Sequence, residues 1–258
     1  MNTVDSSLNQ KKTDLPSASS IDFPRLIAFF GPDGAGKSTQ ADLLISYLNG
    51  NGFKVKKAWV RSTHTVAFLL WIVFKKLNLV RGQSKAAKQM TIRPAVSYLN
   101  QRSYGAVSPI TTSPPVLKGS LSKFIWSTIE VIGILPVVLL QVYLPLMLGY
   151  EVVAERYVAD SVASIAYFLN DENFADSLNG KLLLKLIPKR TMFVYVDADY
   201  QAILNRRAEA AGPVEYTEFH RRVFSKVAST LNARYVNTGK LDVDQASAKI
   251  IGFLQKDL

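Results

Sequence analysis

The chain has 258 residues, 48% of them hydrophobic, with no cysteine, two histidines and a formal net charge of +11. That is ample apolar material for one large domain or two small ones, and it excludes disulfides, thiol catalysis and cysteine-ligated zinc. His64 and His220 stand far apart with no ligand spacing around either, so neither metal binding nor catalysis is expected of them.

Residues 1–20 are polar, rich in Ser, Asn and Lys, and lack an apolar core segment, so they read as a disordered tail rather than a signal peptide. A strand is expected at 25–30. A glycine-rich turn follows, Gly31-Pro32-Asp33-Gly34-Ala35-Gly36, leading into Lys37-Ser38-Thr39 and a helix over 37–48 that Asn49-Gly50-Asn51-Gly52 closes. Strand, G-x-x-x-x-G-K-[ST] and helix in that order make a phosphate-binding loop. The glycines let successive N–H groups turn inward, and the helix start adds its positive dipole end. Lys37 is placed to reach the β- and γ-phosphates of a nucleotide, and the Ser38 hydroxyl to ligate Mg²⁺.

Phe53 to Val60 alternates as a second strand and ends at Arg61; residues 64–80 are apolar and predict a helix. From 81 to 123 the chain turns basic and irregular, with a short helix predicted near 84–103 and a loop over 104–120. Between Asp42 and Glu130 there are thirteen Lys or Arg and no acidic residue. Such a concentration suits an anionic partner, whether phosphorylated substrate, lipid head group or nucleic acid, or else a solvated basic face. It lacks the interleaved aromatic platforms of single-strand binders, so nucleic acid is not expected.

A second apolar stretch runs from Phe124 to Leu148 with Glu130 as its only charge. Beyond it come a third strand (150–156), a helix (159–170), a fourth strand (191–197), helices near 199–209 and over 215–231, a fifth strand (234–238) and a closing amphipathic helix (242–256). Strands separated by helices predict an α/β fold: a three-layer α/β/α sandwich on a parallel five-stranded sheet, with the loop at the strands' carboxyl ends.

No Asn-Lys-x-Asp guanine reader is present, and the chain has no arm for coupling ATP hydrolysis to movement, so a small-molecule kinase is the expected class. The sequence resembles the thymidylate kinase family of P-loop nucleoside monophosphate kinases. The resemblance lies in G-P-D-G-A-G-K-S-T-Q (31–40), including Asp33 and Gln40, in Arg61 after the second strand, and in Glu155-Arg156-Tyr157 followed by Asp160-Ser161 and Ala166-Tyr167. VYVDADYQAILNRR (194–207) and Glu218-Phe219-His220-Arg221-Arg222 also resemble it. The resemblance implies ATP and Mg²⁺, with Gly31 to Thr39, Lys37 and lid arginines Arg206 and Arg207 on the ATP phosphates. It implies Arg61, Arg156 and Tyr157 on the acceptor, Asp33 near its sugar or phosphate, and Ser38 and Glu155 at the metal. Arg suits the acceptor phosphate because its planar fork binds phosphate bidentately. The implied reaction is dTMP + ATP to dTDP + ADP. A kinase for another phosphorylated or membrane-linked acceptor, or a nucleotide-binding module without transfer, are the alternatives.

Three departures stand out. Glu155 replaces the family's usual Asp, Pro213 sits in the short lid where an arginine is common, and the family's nucleoside-gripping helix is not recognisable. An insertion at about 64–148 separates the second and third strands within a kinase domain of 21–258. A single membrane span at 131–150 would put the phosphate loop and Glu155-Arg156 on opposite sides of a bilayer, which one ATP site forbids. Two spans would place the basic stretch outside, against the positive-inside tendency. The arrangements that stay open for the apolar segments are burial against the sheet, a homodimer interface, peripheral contact with an anionic membrane and, against that tendency, a pair of spans. The lack of cysteine fits a cytoplasmic location, with membrane association as its variant.

Overall fold

The computed structural model describes residues 23–60, 119–206 and 213–256. The expected tail at 1–20, the helices at 64–80 and 84–103, most of the loop at 104–120, and the site residues Arg61 and Arg207 lie outside the described residues.

Five strands form one parallel sheet in the order β2-β3-β1-β4-β5: β1 (Leu26–Phe30), β2 (Val55–Ala58), β3 (Glu151–Ala154), β4 (Thr191–Asp197) and β5 (Arg234–Asn237). Seven helices accompany them among the described residues. These are α1 (Lys37–Gly50), α2 (Ser120–Met147), α3 (Val158–Leu169), α4 (Leu178–Leu184), α5 (Tyr200–Arg206), α6 (Val214–Thr230) and α7 (Val243–Lys256). β1 is fully buried, so both of its faces must be apolar, as LIAFF provides. Leu26, Ala28 and Phe30 point into a core shared with α2, α3 and α6; Ile27 and Phe29 point into a second core with α1, α5 and α7. The result is the expected three-layer α/β/α sandwich.

The order of the sheet and its register place the site. From β1 the chain goes out to the edge strand β2, returns to β3 between β2 and β1, and then crosses to β4 and β5 on the other side. The loop after β1 therefore opens at the point where the order reverses. Ala28 pairs with Ala154 and Phe30 with Tyr195. Glu155 and Arg156 consequently emerge from β3 beside the end of β1, and Asp197 emerges from β4 on the opposite flank.

The apolar stretch expected over 124–148 is one helix, α2, starting earlier at Ser120 and containing a π-helical turn at Leu139–Tyr143. The turn falls between Pro136 and Pro145, each of which lacks the N–H that an α-helical ladder needs, and a widened turn absorbs such a mismatch. Its inner side, Trp126, Ile134, Val138 and Val142, packs into the core, with Trp126 stacked on Phe168 at 4.5 Å. Burying each of those aliphatic side chains contributes about 1.5–3 kcal/mol. The segment 171–190, for which the sequence suggested no element, holds a 3₁₀ turn (Phe174–Asp176) and α4.

Candidate active site

Gly31, Gly34 and Gly36 all have positive φ, 143°, 85° and 89°. At Gly31 this matters twice, because a Cβ would also intrude on the Val196 carbonyl oxygen. Gly36 takes the N-cap position of α1, and no side chain caps that helix, so its first N–H groups face the loop. The turn closes with Ala35 N donating to Pro32 O at 3.2 Å.

Lys37 folds back under the loop. Its Nζ donates to Gly31 O at 2.6 Å and Pro32 O at 2.7 Å and lies 3.7 Å from Asp33 Oδ1. Burial, with help from the nearby Arg156 cation, lowers its pKa to about 8. Lys37 is therefore cationic below about pH 8 and neutral above, while polyphosphate binds the cation. ATP affinity is expected to fall as pH rises through 8, by up to about tenfold per unit. Titration of ATP binding calorimetrically between pH 7 and 9 checks this; an affinity flat across that range would remove Lys37 from the phosphate contacts.

The Ser38 hydroxyl donates to Glu155 Oε1, and Glu155 is 3% exposed. Its other oxygen accepts from Lys57 Nζ at 3.0 Å, which also reaches Asp42 Oδ1 at 2.6 Å. Burial tends to lower the Lys57 pKa, but Asp42 and Glu155 outweigh it and hold Lys57 charged. Among the described residues no three acidic or histidine side chains cluster to hold a metal. Ser38 and Glu155 instead offer two oxygen donors. That suits Mg²⁺, which takes one or two protein ligands and completes its shell with water and substrate phosphates.

Arg156 holds two carboxylates at once: Asp33 Oδ1 through Nη2 and Asp160 Oδ1 through Nη1 at 3.0 Å. Burial would lower its pKa, but Asp33 and Asp160 outweigh burial and raise it. Arg206, at the end of α5, donates to the Thr238 carbonyl and, at 3.2 Å, to the Thr238 hydroxyl; that hydroxyl in turn donates to Ala35 O at 2.8 Å. Thr238 thus ties the loop, β5 and the end of α5 together.

Two residues behave differently from their expected or emphasised roles. Tyr157 is fully buried, with its hydroxyl on Leu186 O at 2.6 Å, so it belongs to the core beneath the site. Tyr157→Phe is expected to cost about 1 kcal/mol of stability and to leave the acceptor KM unchanged; a raised KM at unchanged melting temperature would restore it to the site. Gln40 turns from the loop and donates to Val243 O at 3.0 Å, fastening α1 to α7. Asp197 is braced by Arg221 (2.9 and 3.0 Å) and by Tyr235 OH at 3.1 Å, which makes Arg221 a structural partner of β4.

Lys57, Asp160 and Thr238 join the site without having been singled out as site residues. Asp160 had two usable signals, its place in the motif resemblance and its i,i+4 spacing from Arg156. Lys57 is hidden in the run Lys54-Val55-Lys56-Lys57, where nothing local distinguishes one lysine from another.

No protein-family model matches the sequence, and no curated protein matches it. Among solved structures, the chain is similar to thymidylate kinase from Ehrlichia chaffeensis, with 18% sequence identity, a TM-score of 0.48, and coverage of 89% of this chain and 97% of that one.

Proposed function

We propose that the protein transfers the γ-phosphoryl group of ATP to a nucleoside monophosphate, with dTMP as the acceptor. The observation that carries this is the position of Asp33 Oδ1, which lies against Lys37 from the phosphate loop and against Arg156 from β3. Two cations from separate elements, converging on one anionic oxygen, suit a group that leaves one phosphate and joins another. The motif resemblance at 31–40 and 155–157 supports the nucleotide acceptor.

Phosphoryl transfer asks the protein for in-line positioning and charge neutralisation rather than covalent help. Lys37, in this reading, exchanges its loop carbonyls for the β- and γ-phosphate oxygens. Arg156 turns its fork from Asp33 to the acceptor phosphate while Asp160 keeps the guanidinium aligned. Ser38 and Glu155 would hold Mg²⁺, which would supply charge neutralisation for the transferring group. Arg206, anchored by Thr238, lines the ATP side. The bond from the γ-phosphorus to the bridging oxygen of ADP breaks as an acceptor phosphate oxygen bonds to the same phosphorus. One clamp of this kind is worth about 2.7–4 kcal/mol of barrier.

An ADP-release assay across dTMP, dUMP, other nucleoside monophosphates and sugar phosphates tests the acceptor. Turnover is expected to be fastest with dTMP. Turnover with a non-nucleotide alone would keep the kinase and replace the substrate.

A further inference from the structure

The outer face of α2 is apolar where a surface helix ordinarily carries charge. Leu121, Ile132, Leu139, Leu140, Leu144 and Met147 are each at least 45% exposed. Across α2 the only charges are Lys123 and the buried Glu130. The helix is long and apolar enough to cross a bilayer, with a mean hydropathy of 2.1 over its most apolar 18 residues. One side of it, however, rests on the sheet from Trp126 to Val142, so lipid cannot surround it. Contact in the plane of a membrane surface is the arrangement that its packing allows.

A cationic edge runs beside the stripe. Asn179 Nδ2 donates to Phe124 O at 3.2 Å and to Thr128 Oγ1 at 3.0 Å, which seats α4 on the first turns of α2. Further along, Tyr143 OH donates to Leu186 O at 3.3 Å. The backbone N–H of Arg25 donates to Arg190 O at 3.0 Å, and its guanidinium to Leu146 O at 2.9 Å. Residues 178–190 therefore follow α2 from Phe124 to Leu146. They present exposed Leu178 and Leu182 interleaved with exposed Lys181 and Lys185, then exposed Lys189 and Arg190. No acidic residue occurs between Asp176 and Asp197.

We infer that this face docks on a bilayer containing anionic lipids. The stripe of α2 sits at the acyl boundary, and Lys181, Lys185, Lys189 and Arg190 reach the head groups. Charge selects this occupant. A second copy joined through the same patch would set like charges against like. Cover by the apolar segment 64–80 of this chain would leave the lysine edge uncommitted.

Sedimentation of the full chain with vesicles of phosphatidylcholine, with and without phosphatidylglycerol, tests it. Binding is expected only with phosphatidylglycerol and weaker at high salt. Lys181→Gln with Lys185→Gln is expected to weaken it about 30-fold. Leu139→Glu with Leu140→Glu is expected to abolish it. Both pairs are exposed, so cooperative melting and ATP binding are expected to persist, which separates loss of docking from loss of fold. Binding unchanged in both variants would place the membrane contact elsewhere in the chain and overturn the inference. So would a monomer that binds no vesicle, with the chain covering its own stripe. A vesicle-inert dimer that Leu139→Glu with Leu140→Glu splits into monomers would overturn it too, and would make the face an interface between copies.

Discussion

Replacing Lys37 by Ala is expected to lower kcat for phosphoryl transfer by about 10²–10³-fold, the loss typical of one preorganised electrostatic contact, without lowering the melting temperature. The two halves of that expectation have one cause. Lys37 is 4% exposed, and burial pulls its pKa down to about 8, so the fold disfavours the very charge that the chemistry wants. The carbonyls of Gly31 and Pro32 repay only part of that cost. Removing the ammonium relieves the desolvation and removes the phosphate clamp together, the usual opposition between stability and activity at a working site. Steady-state kinetics and thermal melting on the same preparation measure both. A variant that transfers phosphoryl normally would refute the site. One that merely binds ATP more weakly, against a parent chain with no turnover, would indicate a nucleotide-binding module.

Arg156→Ala is expected to have the largest effect on the fold itself, a loss of about 3–5 kcal/mol, because breaking a buried pair from one side strands the other. Asp160 is 2% exposed and Asp33 about one-third exposed, so most of the loss belongs to Asp160. A second substitution tests the cause. Asp160→Asn added to Arg156→Ala is expected to recover a substantial part of the loss, since the stranded charge goes with it. Urea unfolding of the parent, both single variants and the double variant closes the cycle. Strictly additive losses would show that Arg156 acts on stability through packing alone.

Much of this was legible in the sequence, and for specific reasons. β1, the loop and α1 could be read because glycine placement, an apolar run and a lysine-serine pair all point to one local structure. β4 was legible over its full range, 191–197, because TMFVYVD is uniformly strand-forming and bounded by turn residues. α4 was not. In LNGKLLL a glycine interrupts the helical pattern, yet Gly180 is there because a Cβ would strike the backbone at Phe174 and Ala175, while Ser177 caps the helix at Gly180 N. Such a reason exists only in three dimensions.

The site divides the same way. Residues whose role is set by the local chain, Gly31 to Ser38, were readable from their order. Glu155 and Arg156 were found through resemblance, although their position follows from the pairing of β3 with β1. Lys57 and Thr238 required the sheet order itself, since β2 and β5 reach the loop from opposite edges of the fold. Tyr157 was drawn toward the site by the residues before it, but strand-to-helix geometry turns the next side chain inward, onto Leu186.

The central claim is that Lys37, Arg156 and Glu155 surround a phosphoryl group in transit, and following that group tests it most directly. The full chain is incubated with Mg²⁺, dTMP and ATP labelled at the γ-phosphorus, and the nucleotides are separated. Label is expected in dTDP, absent without Mg²⁺ and reduced to a trace in Lys37→Ala. Label released only as inorganic phosphate, at a rate indifferent to dTMP and to every other nucleoside monophosphate, would contradict it.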